Sequence, residues 1–96
     1  MDGAKVLEVI QTYRRFFEGE GVGKIDLPHD QYINDQTDIL MHCHGMLDRM
    51  EEFVRDGRME KAFRWLGFVQ GCLWSCGIYK LEEMEDHNRP AIDADA

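Results

Sequence analysis

The sequence is poor in cysteine and has no long apolar run, and each shortage excludes a class of protein. Its cysteines number three, which leaves no complete disulfide framework. Cys72 and Cys76 lie one helical turn apart with side chains projecting outward, a poor geometry for a bridge. Free thiols in a mostly buried pattern indicate a reducing compartment, so we expect a cytoplasmic protein. No apolar run approaches the ~20 residues that span a bilayer, and no signal-peptide pattern follows Met1.

Basic residues are scarce as well. Asp and Glu number 19 against 11 Lys and Arg, which gives a net charge of −8. Broad binding to nucleic acid requires cations that neutralise phosphates, so nucleic acid is not an expected partner. An acidic surface suits solubility or docking on a basic protein surface. With 96 residues, the chain is long enough for one domain with a small core.

Apolar periodicity predicts four helices, over residues 4–18, 35–55, 58–77 and 81–87. Asp2 is a plausible N-cap of the first helix, Asn34 or Asp35 of the second, and Gly57 suits the left-handed turn between the second and third. The expected fold is all-α: an antiparallel hairpin of the second and third helices, flanked by the first helix and a short C-terminal helix. We expect one domain over residues 1–90 and a disordered acidic tail over residues 91–96.

Two smaller elements complete this prediction. The segment 25–33 is expected to be an irregular connector, with Leu27 and Tyr32 packed on the helices. In the last helix, Leu81 and Met84 are expected to face inward.

The third helix is apolar around more of its circumference than a small monomer can hide. Ala62, Leu66, Val69, Leu73 and Cys76 share its core side, with aromatic residues on both flanks. The remaining strip contains Gly67 and Gly71, each costing about 1 kcal/mol relative to alanine in a helix. Two interpretations stay open: the glycines admit the first helix, or they form a subunit interface. We favour a homo-oligomer, with the interface at Phe63, Gly67, Phe68 and Gly71.

Chemistry that needs a metal or a nucleophile is not indicated. His42, Cys43 and His44 together with Cys72 and Cys76 suggest zinc. However, two histidines that are two residues apart on a helix point in nearly opposite directions, and the sulfurs fall on apolar surface. We therefore predict structural thiols and no metal site. No strained elbow or oxyanion loop accompanies a Cys–His pair, so no catalytic residue, cofactor or enzymatic activity is predicted.

Cations and aromatic side chains do suggest a binding site. Guanidinium and aromatic groups suit a phosphate carried on a stackable base. The candidates are the residues of these types on the second and third helices and just beyond: His42, Arg49, Arg64, Trp65, Gln70, Trp74, Tyr79 and Lys80. These side chains do not share one face of a monomer, so the pocket is expected at a subunit boundary.

Residues 44–90 resemble small helical proteins of tailed bacteriophages. A charged helix, a glycine turn, a helix reading RWLGF-x-QG-x-LW and a closing HNRP carry this resemblance over about half of the chain. More loosely, the Arg64-Trp65-Leu66 start and Leu73 are similar to the helical-hairpin phage proteins that sequester cyclic-nucleotide signals of anti-phage (CBASS) defence. The N-terminal motif of those hairpins is missing here. This likeness implies a non-enzymatic oligomer that holds a nucleotide-like signal between subunits.

The leading hypothesis is a phage-type counter-defence protein that binds and sequesters a small anionic, nucleotide-like molecule in the host cytoplasm. The alternatives are an acidic inhibitor of a host defence protein and a structural assembly protein. No membrane partner is expected.

Overall fold

A computed structural model describes residues 1–90, which contain four helices and no strand. The helices are α1 (Gly3–Gly19), α2 (Gln36–Arg55), α3 (Met59–Ser75) and α4 (Leu81–Asn88). The all-α prediction is therefore confirmed, with helix ends within two residues of those predicted. The predicted acidic tail lies outside the described residues.

Side-chain caps and a tight turn set the helix ends. Asp2 accepts a hydrogen bond from the Lys5 N–H at 2.9 Å, which confirms it as the N-cap of α1. Asp35, and not Asn34, caps α2 by accepting from the Thr37 N–H at 2.8 Å. Gly57 takes φ +76° between α2 and α3, the left-handed conformation predicted for it.

The core lies between α1, α2 and α3. Tyr13 and Phe17 of α1, Leu47 and Met50 of α2 and Leu73 of α3 are completely buried in one apolar cluster. These residues recur at helical spacing on each element, so the periodic pattern of the sequence reports the packed faces correctly.

The short helix α4 is held on the bundle by a polar network. Gln70 donates to the Tyr13 hydroxyl at 2.9 Å and to the Asn88 side-chain oxygen at 2.8 Å, and Tyr13 in turn bonds His87 Nδ1 at 3.0 Å. Gln70 and Tyr13 thus satisfy each other's hydrogen-bonding groups in the interior, where a polar group without a partner would be costly. Met84 is buried as predicted, but Leu81 is 57% exposed, so its predicted inward orientation is wrong.

The connector between α1 and α2 packs differently from the prediction at its far end. Tyr32 is fully exposed, because residues 29–35 lead out to the start of α2 without crossing the core. The near end is pinned instead by His44, which is buried, stacks on Phe17 at 5.0 Å and donates from Nδ1 to the Val22 carbonyl at 2.8 Å.

Candidate ligand groove

A groove of about 880 Å³ opens between α2, the first half of α3 and the connector, whose residues 24–29 form its outer wall. Its volume lies within the range of small-molecule sites in proteins, about 300–1,000 Å³. The side chains that bear on recognition are His42 and Arg49 of α2, and Arg64, Trp65 and Phe68 of α3. The groove is formed within one chain.

A glycine of α2 lets the connector form this wall. A Cβ atom on Gly45 would lie 3.0 Å from the Ile25 carbonyl oxygen, a contact so tight that the connector backbone would have to move away by a few tenths of an ångström. On either side of this contact the connector is bonded to α2: Ile25 N–H donates to the Met41 carbonyl at 3.3 Å, and Leu27 N–H donates to His42 Nδ1 at 3.1 Å. The bond to Leu27 also fixes the His42 ring in the groove.

The floor of the groove carries a neutralised acid. Asp48 accepts from Lys24 at 3.0 Å and from Arg14 at 3.1 Å. Burial opposes ionisation of this carboxyl, but the bonds from the two cations outweigh that effect and lower the pKa of Asp48. Asp48 therefore stays ionised and engaged with its own cations.

Arg64 differs from most basic residues of the chain. No carboxylate within residues 1–90 lies at ion-pair distance from its guanidinium, although acids outnumber bases. The neighbouring Trp65 is half-buried and held edge-to-face on Phe53 at 4.9 Å. Phe68 is 54% exposed, with its ring edge-on to His42 at 6.5 Å. Arg64, which has no carboxylate partner within residues 1–90, thus lines the same groove as the aromatic side chains of Trp65 and Phe68.

Four of the eight predicted ligand-binding residues line this groove: His42, Arg49, Arg64 and Trp65. These four meet within one chain, because the packing of α2 beside α3 brings one edge of each helix to the same groove. The subunit boundary expected for the full set of eight stays a prediction.

The other four predicted residues lie elsewhere. Gln70 belongs to the network that holds α4, and Tyr79 packs against His87 with ring centroids 4.7 Å apart. Trp74 is 52% exposed on the outer side of α3, and Lys80 precedes α4. The structure does not bring them to the groove.

The outward face of α3 comprises Phe63, Gly67, Phe68 and Gly71, the predicted interface residues. All four are exposed, and a Cβ atom added to either glycine would meet nothing within 4 Å. The alternative that these glycines admit α1 is therefore wrong.

Sequence reasoning missed the contribution of the connector. Lys24, Ile25, Asp26 and His29 line the groove, together with Asp48 of α2. The connector has no periodicity from which a facing element could be read. One signal was available: Gly45, a glycine inside a helix, marks a place where another backbone approaches closely.

The thiols form a contact of their own, outside the groove. Cys43 is buried, and Cys72 is half-buried beside it. A hydrogen bond with Cys43 lowers the pKa of Cys72 to about 7, although burial opposes the shift. Within residues 1–90, no three His, Cys, Asp or Glu side chains are grouped so that they could hold a metal ion.

Comparison of the chain with protein-family models, with curated proteins and with solved structures found no match. In the part of the chain that the structure describes, no helix is both long enough and apolar enough to cross a membrane.

Proposed function

We propose that this protein is a non-enzymatic binding protein that holds a small anionic molecule with a flat, stackable part, such as a nucleotide, in the groove between α2, α3 and the connector. The observation that carries the proposal is Arg64, a guanidinium without a carboxylate partner in residues 1–90 that lines the same groove as Trp65 and Phe68.

The groove's chemistry supports binding over catalysis. Guanidinium binds phosphate oxygens through two parallel N–H donors, and aromatic faces stack on bases. Two of the ionisable groups that line the groove already have partners: Asp48 is neutralised by Lys24 and Arg14, and His42 Nδ1 accepts from a backbone N–H. This leaves positioned donors and apolar faces, which are the features of a recognition site.

The proposal includes self-association of an antiparallel α2–α3 hairpin through the outward face of α3. Phe68 belongs both to that face and to the groove, so a second copy packed there would cover one side of a bound molecule. The glycines leave space for the backbone of the second copy to approach. In this arrangement the protein sequesters its ligand between subunits. The phage setting rests on the resemblance of residues 44–90, and the counter-defence role on the looser likeness carried by Arg64, Trp65, Leu66 and Leu73.

A second candidate is an acidic inhibitor that docks on a basic surface of a host protein. It is favoured by α4, on which Glu82, Glu83, Glu85 and Asp86 are all exposed. Such a helix offers negative charge along one short element.

Thermal unfolding with a panel of nucleoside monophosphates tests the proposal. A ligand that binds only the folded state stabilises it and so raises the melting temperature. At a ligand concentration 100 times the dissociation constant, the free energy of unfolding increases by about 2.7 kcal/mol. Arg64→Ala should remove the shift, whereas Arg15→Ala, an exposed arginine on α1 away from the groove, should retain it. A shift that persists in Arg64→Ala removes this residue from the site. If no nucleotide shifts the wild type and a host protein copurifies with it, the inhibitor is favoured instead.

A further inference from the structure

Three cations of this acidic protein gather around one aromatic ring. The guanidinium carbons of Arg49 and Arg58 lie 5.6 and 5.1 Å from the centre of the Phe53 ring, and Lys61 Nζ lies 4.9 Å from it. Arg49 comes from α2, Arg58 from the turn and Lys61 from α3. We refer to these three residues as the basic cluster.

The basic cluster is short of counter-charge. Arg49 pairs with Glu52 at 3.3 Å, and both side chains are largely exposed. Arg58 and Lys61 have no carboxylate within ion-pair distance anywhere in residues 1–90. Attraction to the π face of Phe53 offsets only part of the repulsion among three like charges, since cation–π contacts are weak at exposed positions. An anion on the basic cluster would relieve the remainder.

The basic cluster is continuous with the groove through two residues. Arg49 lines the groove and also faces Phe53. Lys61 Nζ lies 5.9 Å from the ring centre of Trp65, which is itself a groove residue. A molecule stacked beside Trp65 therefore has two groups of cations within the same groove region, Arg64 and the basic cluster.

We propose that the basic cluster is a second anion subsite of the groove, and that the ligand is a nucleotide-like molecule with two or more phosphate groups. This inference rests on the proposed function, because it extends the same ligand from Arg64 to Arg49, Arg58 and Lys61. One phosphate binds at Arg64, and a further phosphate of the same molecule binds at the basic cluster.

Isothermal titration of AMP, ATP and inorganic triphosphate, at fixed salt and without divalent metal, tests the inference. The variant is Arg58→Gln with Lys61→Gln, because glutamine keeps part of the hydrocarbon stem over Phe53 while removing the charge. The matched control is Arg15→Gln with Lys80→Gln, which removes two exposed cations away from both sites. Thermal unfolding of each variant establishes that it is folded.

The wild type should bind ATP at least about tenfold more tightly than AMP, since one charge-assisted hydrogen bond contributes that much. The Arg58/Lys61 variant should lose most of this preference and keep its affinity for AMP, and the control should retain both. Equal affinities for AMP and ATP in the wild type, with AMP binding still dependent on Arg64, overturn the second subsite and leave the proposed function standing. Conversely, binding of inorganic triphosphate that depends on Arg58 and Lys61, without any binding of AMP and without tighter binding of ATP, would make the basic cluster a separate polyphosphate site and would overturn both the inference and the groove function.

Discussion

Replacing both glycines on the outward face of α3 should stabilise the folded chain. Gly67 and Gly71 lie inside a helix, neither has a positive φ, and a Cβ atom on either would meet nothing within 4 Å. Alanine is favoured over glycine at such positions by about 1 kcal/mol each. The free energy of unfolding of the double variant should therefore be about 2 kcal/mol higher than that of the wild type. For a domain of this size, this corresponds to a melting temperature about 8–16 °C higher.

The same two methyl groups should oppose self-association. If a second copy packs its backbone against the outward face of α3, added Cβ atoms overpack that contact and cost about 1–3 kcal/mol, which weakens association about 5- to 150-fold. Urea unfolding at low protein concentration measures the first effect, and sedimentation velocity over a concentration series measures the second. The expected signature is a more stable chain that associates less.

Gly57→Ala is the matched control for this experiment. It makes the same chemical change at a position with φ +76°, where a side chain is strained, so it should destabilise the protein. A Gly67/Gly71 double variant that is less stable at low concentration would show that this face is covered within a single chain, and would refute the reasoning. A stabilised variant with unchanged association would leave the glycines without a role in assembly.

Two further predictions concern pH. Alkylation of Cys72 by iodoacetamide, measured by peptide mass spectrometry, should reach half its maximal rate at about pH 7. The Cys43→Ala variant should have a higher midpoint, because the hydrogen bond with Cys43 lowers the pKa of Cys72. An unchanged midpoint in that variant would assign the lowered pKa to another cause. Burial lowers the pKa of His87 below 6.5, against the opposing effect of nearby Glu83 and Asp86, so the unfolded chain binds more protons than the folded one near pH 6. Urea unfolding between pH 7 and pH 5 should therefore give a free energy of unfolding that is highest above pH 6.5 and falls as the pH is lowered further. This fall should be smaller in His87→Gln, and equal falls in the variant and the wild type would exclude His87 as the source.

The helices and their packed faces could be predicted because both depend on local pattern. Helical periodicity placed Tyr13 and Leu73 in the core, and cap preference identified Asp2 and Gly57. These signals involve residues within a few positions of one another, so they can be read without knowing where the rest of the chain lies.

The groove could be predicted only in part, because it depends on how separate elements meet. Arg49 and Arg64 were recognisable by residue type, but their proximity follows from the packing of α2 against α3. Gln70 was taken for a ligand contact, whereas its partners lie 57 residues away at Tyr13 and 18 residues away at Asn88. No local pattern reports a pairing over such distances.

The connector shows the same limit. An aperiodic segment gives no indication of which residues face the helices, and the exposed Tyr32 and groove-lining Ile25 were therefore not distinguished. Gly45 of α2 does indicate the contact, because a glycine inside a helix leaves room for the connector backbone to approach.

In the proposed function the ligand binds beside Trp65, and the two tryptophans of the chain allow a direct measurement of where it binds. Trp65 lines the groove, and Trp74 lies on the outer side of α3, 52% exposed. Proton–nitrogen NMR of the 11.2 kDa protein resolves one indole N–H signal for each. During titration with ATP, the Trp65 signal should shift and saturate with the binding curve, and the Trp74 signal should stay in place. A saturating shift of Trp74 alone, or no shift of either signal at millimolar ATP, would contradict the account.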